Sequence, residues 1–436
     1  MGYTRSLGRM KHRVTELKLN NGARGLLIHV PDASVMSFHI SFRAGDYLAP
    51  EDKWETPHLM EHLILDANEE FPRGRDFQAE FERNGAYSNA STGTHNITYE
   101  AECADFEWQR ILQCMVLSIT KPLFLREEFH AEVGNVREEL VSRSNSHFQQ
   151  LSLALRGAYG LRAATYQKRL QLVNNVTLED IVNHYKDTHY ASNMRFVIAG
   201  KFNPTRRAKV RAILGDITLP KGNSRKKLPT EKPKGLKQPL YIPNDTVDNL
   251  YFYFDTFMKR RMNDSELHAM SLINSMLTET LHSQILGTAR EKGLVYSMSS
   301  NISYDTSYTN WWFGAQVQPK NAKGLFDIII TELQKVFDGK ISAADLKAAK
   351  QYRLGRFQRS AQTVSGIAAG YMWRYFFEDV VEDYLGTPKH IRAVTKNQIV
   401  EGARELFAEK NWGLGVLGRN DRRPANRLAR QLSVLW

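Results

Sequence analysis

Two histidines four residues apart, His58 and His62, bracket a glutamate in the run His58-Leu59-Met60-Glu61-His62. On a helix, residues four apart stand one turn apart on one face, so both imidazoles can reach a single ion while Glu61 stays beside them. Zinc takes neutral nitrogen or anionic ligands in a tetrahedron, and a catalytic zinc leaves one position to water, so this pair needs one further protein ligand. Glu61 is then available as a base toward that water. The order H-x-x-E-H inverts the commoner H-E-x-x-H of zinc hydrolases.

The stretch Trp54 to Asn68 must be the helix that carries this face, with Leu59, Leu63 and Ile64 turned toward a core. Strands are expected at 23–30 and 34–43, with Pro31-Asp32 as their turn, and at 86–92, 96–103 and 193–200. Helices are expected at 76–83, ended by Asn84-Gly85, at 105–120 and 125–144, with two more between 146 and 190. In the helix after Leu125, the residues Leu125, Phe129, Val133, Val136 and Leu140 form a core-facing stripe. Glu128, Glu132, Asn135 and Glu139 run one residue earlier along its border, and Glu138 points away. An anion at such a border is costly unless paired, and a metal ion would be a partner for Glu132 or Glu139, whereas Glu128 reads as a solvated flank.

At 436 residues and 42% hydrophobic, the chain has the composition of a globular protein of two or three domains. It contains no run of 18 apolar residues, so no membrane span is expected, and no signal-peptide segment is read at its start. Met1 to Ser6 formally fit a myristoylation pattern and the first thirteen residues are basic, as in organellar transit peptides; the reading adopted is a frayed basic start. Two cysteines, Cys103 and Cys114, supply no disulfide framework and read as small buried residues. A cytoplasmic location is the expectation, with an organellar matrix as the alternative.

The net charge of +12 is concentrated: Leu219 to Leu240 holds seven Lys or Arg against one acid, and Arg419 to Arg430 is also basic. A solvated linker and tail account for the excess, and no nucleic-acid recognition motif accompanies it. The linker also lies at the midpoint of a repeat. Val176-Thr177, Ile181 and Gly200 recur 218 residues later as Val394-Thr395, Ile399 and Gly418. The repeat implies an α+β fold of two homologous halves, each a largely antiparallel sheet with helices packed on it. The domains read as 12–218 for the histidine-bearing half, 219–241 for a basic linker, 242–420 for the second half and 421–436 for a basic tail. Met276 stands 218 residues after His58, so the second half has no copy of the motif.

His58-x-x-Glu61-His62, with Glu132 and Glu139 downstream, resembles the M16 metallopeptidase family. So do Asn21-Gly22, Arg43-Ala44-Gly45, Asn89-Ala90-Ser91-Thr92, Tyr190-x-x-Asn193-Met194 with Ala199-Gly200, and the run from Arg290 to Tyr296, all in family order. The resemblance implies one zinc per chain held by His58, His62 and Glu139, with Glu61 as general base and Glu132 as a carboxylate that helps hold the site. It implies that Asn89, Ala90, Ser91 and Thr92 form an edge strand on which a peptide substrate lies as an added strand, and that Arg290 and Tyr296 contact substrate carbonyls. Thr56-Pro57 and Ala67-Asn68 depart from the glycine-bearing pattern that the family shows at these places, so the loop bordering the substrate is expected to differ. The function implied is that of a zinc metalloendopeptidase acting on peptides or unfolded segments. The alternative is a non-cleaving binding or assembly subunit, against which the intact motif counts. Family chambers contain four half-units and this chain supplies two, so a homodimer is expected, or a heterodimer with a second M16-like chain.

Overall fold

Short runs of β-branched and aromatic residues bounded by Gly, Pro and Asn fold as strands, and in the computed structural model they assemble into two sheets. The structure describes residues 11–436; most of the basic start, with its formal myristoylation pattern, lies outside them. Among the described residues the first sheet comprises β1 Arg13–Lys18, β2 Arg24–His29, β3 Val35–Phe42, β4 Tyr87–Thr92, β5 Ile97–Ala104 and β6 Met194–Gly200, in the order β1-β2-β6-β3-β5-β4. The second comprises β7 Leu240–Pro243, β8 Leu250–Met258, β9 Met298–Tyr304, β10 Thr309–Val317 and β11 Trp412–Gly418, in the order β7-β11-β8-β10-β9. Each sheet has one parallel pair, β2 with β6 and β7 with β11, and is otherwise antiparallel. Without β1 the two orders are the same, so the sequence repeat is a repeat of fold. β1 itself was not anticipated: it is a charged edge strand with one buried residue, Leu17, and offers almost no hydrophobic alternation to read.

The helices that matter here are α1 Thr56–Ile64, α2 Arg126–Ser144, α3 His147–Ala158, α4 Tyr166–Leu172, α5 Leu178–Thr188, α6 Val364–Glu378, α7 Lys396–Ala408 and α8 Arg423–Leu432. The repeated Val-Thr pairs have a shared local cause. Thr177 caps α5 in a capping box with Asp180, and Thr395 caps α7 in the same way with Gln398. α1 is shorter than the expected span because Pro57, tolerated in a first turn, opens it, and because the chain turns after Leu65.

The chain forms two compact units that do not follow a single cut at the linker. One is built from the chain up to Val141, Gln167–Pro229 and Gln358–Tyr384; the other from Ser142–Tyr166, Thr230–Phe357 and Leu385–Trp436. Each unit takes in a helix encoded in the other half of the sequence. α3 packs on the second sheet, where Leu151 and Leu155 share a core with Tyr253, Phe257 and Leu417. α6 packs on β3 and β6 of the first sheet. Shifted by the repeat of 218 residues, 147–158 becomes 365–376, which lies within α6, so the exchanged helices are repeat equivalents. Residues 216–239 contain no helix or strand, and β7 begins after them. The expected basic tail is instead structured: α8 buries Ala425, Leu428 and Leu432 against the helix Pro319–Phe337, while Arg423, Arg427 and Arg430 face outward. Its apolar residues recur at helical spacing, and the arginines between them mask that stripe in a composition count.

α6 is fastened by charge as well as by packing. Asp379, which ends it in a left-handed conformation (φ 56°), accepts from Arg195 at 2.5 and 3.0 Å and from Arg225 at 3.2 Å. Burial alone would raise this carboxyl, but Arg195, Arg225 and Arg24 hold it below the usual range.

Candidate metal centre

α1 is buried on nearly every side: Leu59, Met60, Leu63 and Ile64 are in the core, and His58 and Glu61 are buried with them. A polar pair enters such surroundings only with partners, and α2 supplies them. Phe129, Val136 and Leu140 anchor α2, so the neighbouring stripe presents Glu132, Asn135 and Glu139, while Glu138 is exposed. Leu125, expected at the head of the apolar stripe, precedes the helix and is exposed.

The two imidazoles lie edge to face, with centroids 4.9 Å apart. His58 Nε2 is 3.3 Å and His62 Nε2 3.8 Å from the same Glu139 oxygen. The ligand atoms of His58, His62 and Glu139 all lie within 4.8 Å of one another. The other ring nitrogens are taken. His58 Nδ1 is 2.9 Å from Glu55 Oε2, and His62 Nδ1 is 2.6 Å from Glu132 Oε2. Glu132 in turn accepts from Asn135 at 2.9 Å. With Nδ1–H committed to a carboxylate, each ring turns its Nε2 toward Glu139, the nitrogen that would offer a lone pair to a metal ion once it carries no proton.

The charges call for a cation. Glu55, Glu132 and Glu139 each contact one or both histidines, with Arg169 paired to Glu55. Burial pulls His58 toward its neutral form, but the carboxylates of Glu139 and Glu55 outweigh burial and push it up to about 9. Glu132 is held below the usual carboxylate range by His62, against burial. Two imidazole nitrogens and one carboxylate converging in this way are a donor set that suits zinc, which would take the place of the second His58 proton.

Asn89, Ala90, Ser91 and Thr92 lie in β4, which among the described residues ends the first sheet and pairs with β5 alone. Asn89 and Ser91 are exposed and Ala90 is buried. Thr92 does more than line the edge: its Oγ1 donates to Glu61 Oε2 at 2.5 Å. Arg290 and Tyr296 belong to the second unit, where Arg290 Nη1 donates to the Tyr296 carbonyl at 2.6 Å and its guanidinium lies 4.8 Å from the ring centroid. Tyr296 is 81% exposed. Sequence reasoning missed Glu55, Arg169 and the Thr92 contact to Glu61. Glu55 carried a signal, an acid three residues before a histidine on one helix face, but Arg169 lies 114 residues from Glu55 and carried none.

Residues 25–171 match the family described as "Insulinase (Peptidase family M16)", and residues 175–352 match "Peptidase M16 inactive domain". The chain is 22% identical over 196 residues to the insulin-degrading enzyme of Drosophila melanogaster, an alignment covering 42% of this chain and 20% of that enzyme. It thus spans about a fifth of the length of the curated relatives it matches. Its fold is similar to that of a protease from Helicobacter pylori, with a TM-score of 0.82, 19% identity and coverage of 94% of this chain and all of that one. It is also similar to a peptidase M16 inactive domain from Pseudomonas fluorescens, with a TM-score of 0.79, 15% identity and coverage of 94% and 98%.

Proposed function

Since the chain belongs to the M16 peptidase family, we propose that it is a zinc-dependent endopeptidase that hydrolyses peptides or unfolded segments. The observation that carries this reading is the convergence of His58 Nε2, His62 Nε2 and a Glu139 oxygen, with Glu61 between the two histidines on α1. His58, His62 and Glu139 would hold the zinc, which when bound polarises a carbonyl and lets water attack at neutral pH. The peptide pairs its backbone with the open edge of β4, which favours extended chains with little regard to side chains. Thr92 occupies Glu61 Oε2, so Oε1 is the oxygen assigned to proton transfer. Glu61 takes one proton from the attacking water as the C–O bond forms, then gives it to the departing amine nitrogen as the C–N bond breaks. Glu132 keeps His62 in the tautomer that offers Nε2. Arg290 and Tyr296 are assigned to substrate carbonyl oxygens, as in the family.

The non-cleaving alternative is less economical, because a binding subunit needs neither Glu61 nor the donor set. Zinc measured by mass spectrometry on the purified chain, together with cleavage of a mixed peptide library, tests the reading. The expected result is about one zinc per chain and cleavage abolished by a chelator. Glu139→Gln should lower bound zinc far more than Glu138→Gln; equal zinc content in the two would refute the ligand set. We also propose a homodimer, since two halves make only part of a family chamber. Light scattering that finds the active species at 50 kDa, the mass of one chain, would exclude it.

A further inference from the structure

Glu55 occupies the N-cap position of α1 but makes no side-chain capping bond there. A carboxylate at an N-cap ordinarily accepts from the helix's own amides. This one is fully buried, at 0% exposure, and its oxygens go elsewhere: to His58 Nδ1 at 2.9 Å, and to Arg169 Nε at 2.5 Å and Nη2 at 2.8 Å. Arg169, on α4, reaches it with a side chain only 12% exposed. A buried anion is expensive, and a two-pronged guanidinium is the partner that offsets that cost while also fixing its orientation.

We infer that Glu55 and Arg169 are a positioning pair: Arg169 fixes the Glu55 carboxylate in place with two hydrogen bonds, and Glu55, by accepting from His58 Nδ1–H, holds the His58 ring with Nε2 facing Glu139. The inference rests on the metallopeptidase reading above. The two ligand histidines are supported differently. His62 leans on Glu132, a partly exposed carboxylate steadied by the neutral Asn135, whereas His58 leans on a buried ion pair whose cation comes from a distant segment. His58 is therefore the more firmly held of the two candidate ligands, and α4 supports the site through Glu55.

The test uses the full-length chain and zinc alone. Zinc affinity is measured by competition with a chelator, and fold integrity by thermal unfolding with chelator in excess. Glu55→Gln and Arg169→Met are each expected to weaken zinc binding about 10- to 100-fold, and the double variant to bind about as weakly as the weaker single one, because the residues act as one unit. Arg169→Lys, which keeps a cation against Glu55, should recover much of the loss. Selective 15N-histidine labelling of the zinc-loaded wild type should show a proton on His58 Nδ1, a readout that needs no variant to fold. Folded variants that bind zinc as tightly as wild type, losses that simply add in the double variant, or a zinc-loaded His58 without a proton on Nδ1 would each overturn the pair's role. A wild-type chain that holds no zinc would instead overturn the metallopeptidase reading, and the pair's role with it.

Discussion

The base role proposed for Glu61 and the hydrogen bond that Thr92 gives it can be tested one residue at a time. Because Glu61 is not among the converging ligand atoms, Glu61→Gln should leave zinc content unchanged while kcat falls at least about a hundredfold, the usual size of a lost general base. Near-normal cleavage by that variant would remove Glu61 from the mechanism. Thr92 donates a charge-assisted bond to Glu61 at 2.5 Å. Removing a bond of that kind is worth about 1.5 kcal/mol, so Thr92→Val should lower kcat roughly tenfold. KM should hardly move, since β4 offers peptide its backbone and valine keeps the strand. An unchanged kcat would reduce Thr92 to an ordinary edge residue.

At the scale of elements, the second sheet carries a buried charge that makes its stability depend on pH. Asp255 on β8 is buried and accepts from Asn310 of β10 at 2.7 Å. Burial pushes its carboxyl up to about 7, against the opposing pull of Asn310 and of Arg156 on α3. A carboxyl raised above its unfolded value of about 3.9 binds its proton more tightly in the fold, so its contribution is complete below about pH 4 and is lost as pH rises through about 7. The unfolding midpoint of Asp255→Asn relative to wild type should therefore shift in the variant's favour between about pH 4 and 8, by several degrees. Parallel melting curves across that range would show that the charge of Asp255 is compensated in the fold.

At the scale of the whole molecule, the exchange of α3 and α6 makes each unit incomplete in its own half of the sequence. A fragment ending at Pro229 lacks α6, so it exposes the sheet face that Ile367, Tyr371 and Tyr375 help to cover and leaves Arg195 without Asp379. Unpaired buried charge of this kind typically costs about 3 to 5 kcal/mol, comparable to the net stability of a small domain. That fragment alone should melt without a sharp transition and retain little zinc, whereas both fragments expressed together should restore each property. Cooperative melting and full zinc content in the fragment ending at Pro229 would show that the exchanged helix is dispensable.

What the sequence determined by itself is what one helix or one repeat can encode. His58, Glu61 and His62 follow from the helical period, Glu132 and Glu139 from the phase of α2 against Phe129, Val136 and Leu140, and the doubled fold from Val-Thr capping signals 218 residues apart. Each is a spacing along the chain, and the period of an element preserves spacing. Only the tertiary structure decided that Thr92 holds Glu61, that Arg169 secures Glu55, and that α3 and α6 lie on each other's sheets. The reason is that an apolar stripe specifies that a helix must be covered but not by which sheet, and two homologous sheets present similar faces to two homologous helices. A polar side chain likewise specifies that it needs a partner, while the identity of that partner is set by which distant segments the completed fold brings within about 3 Å.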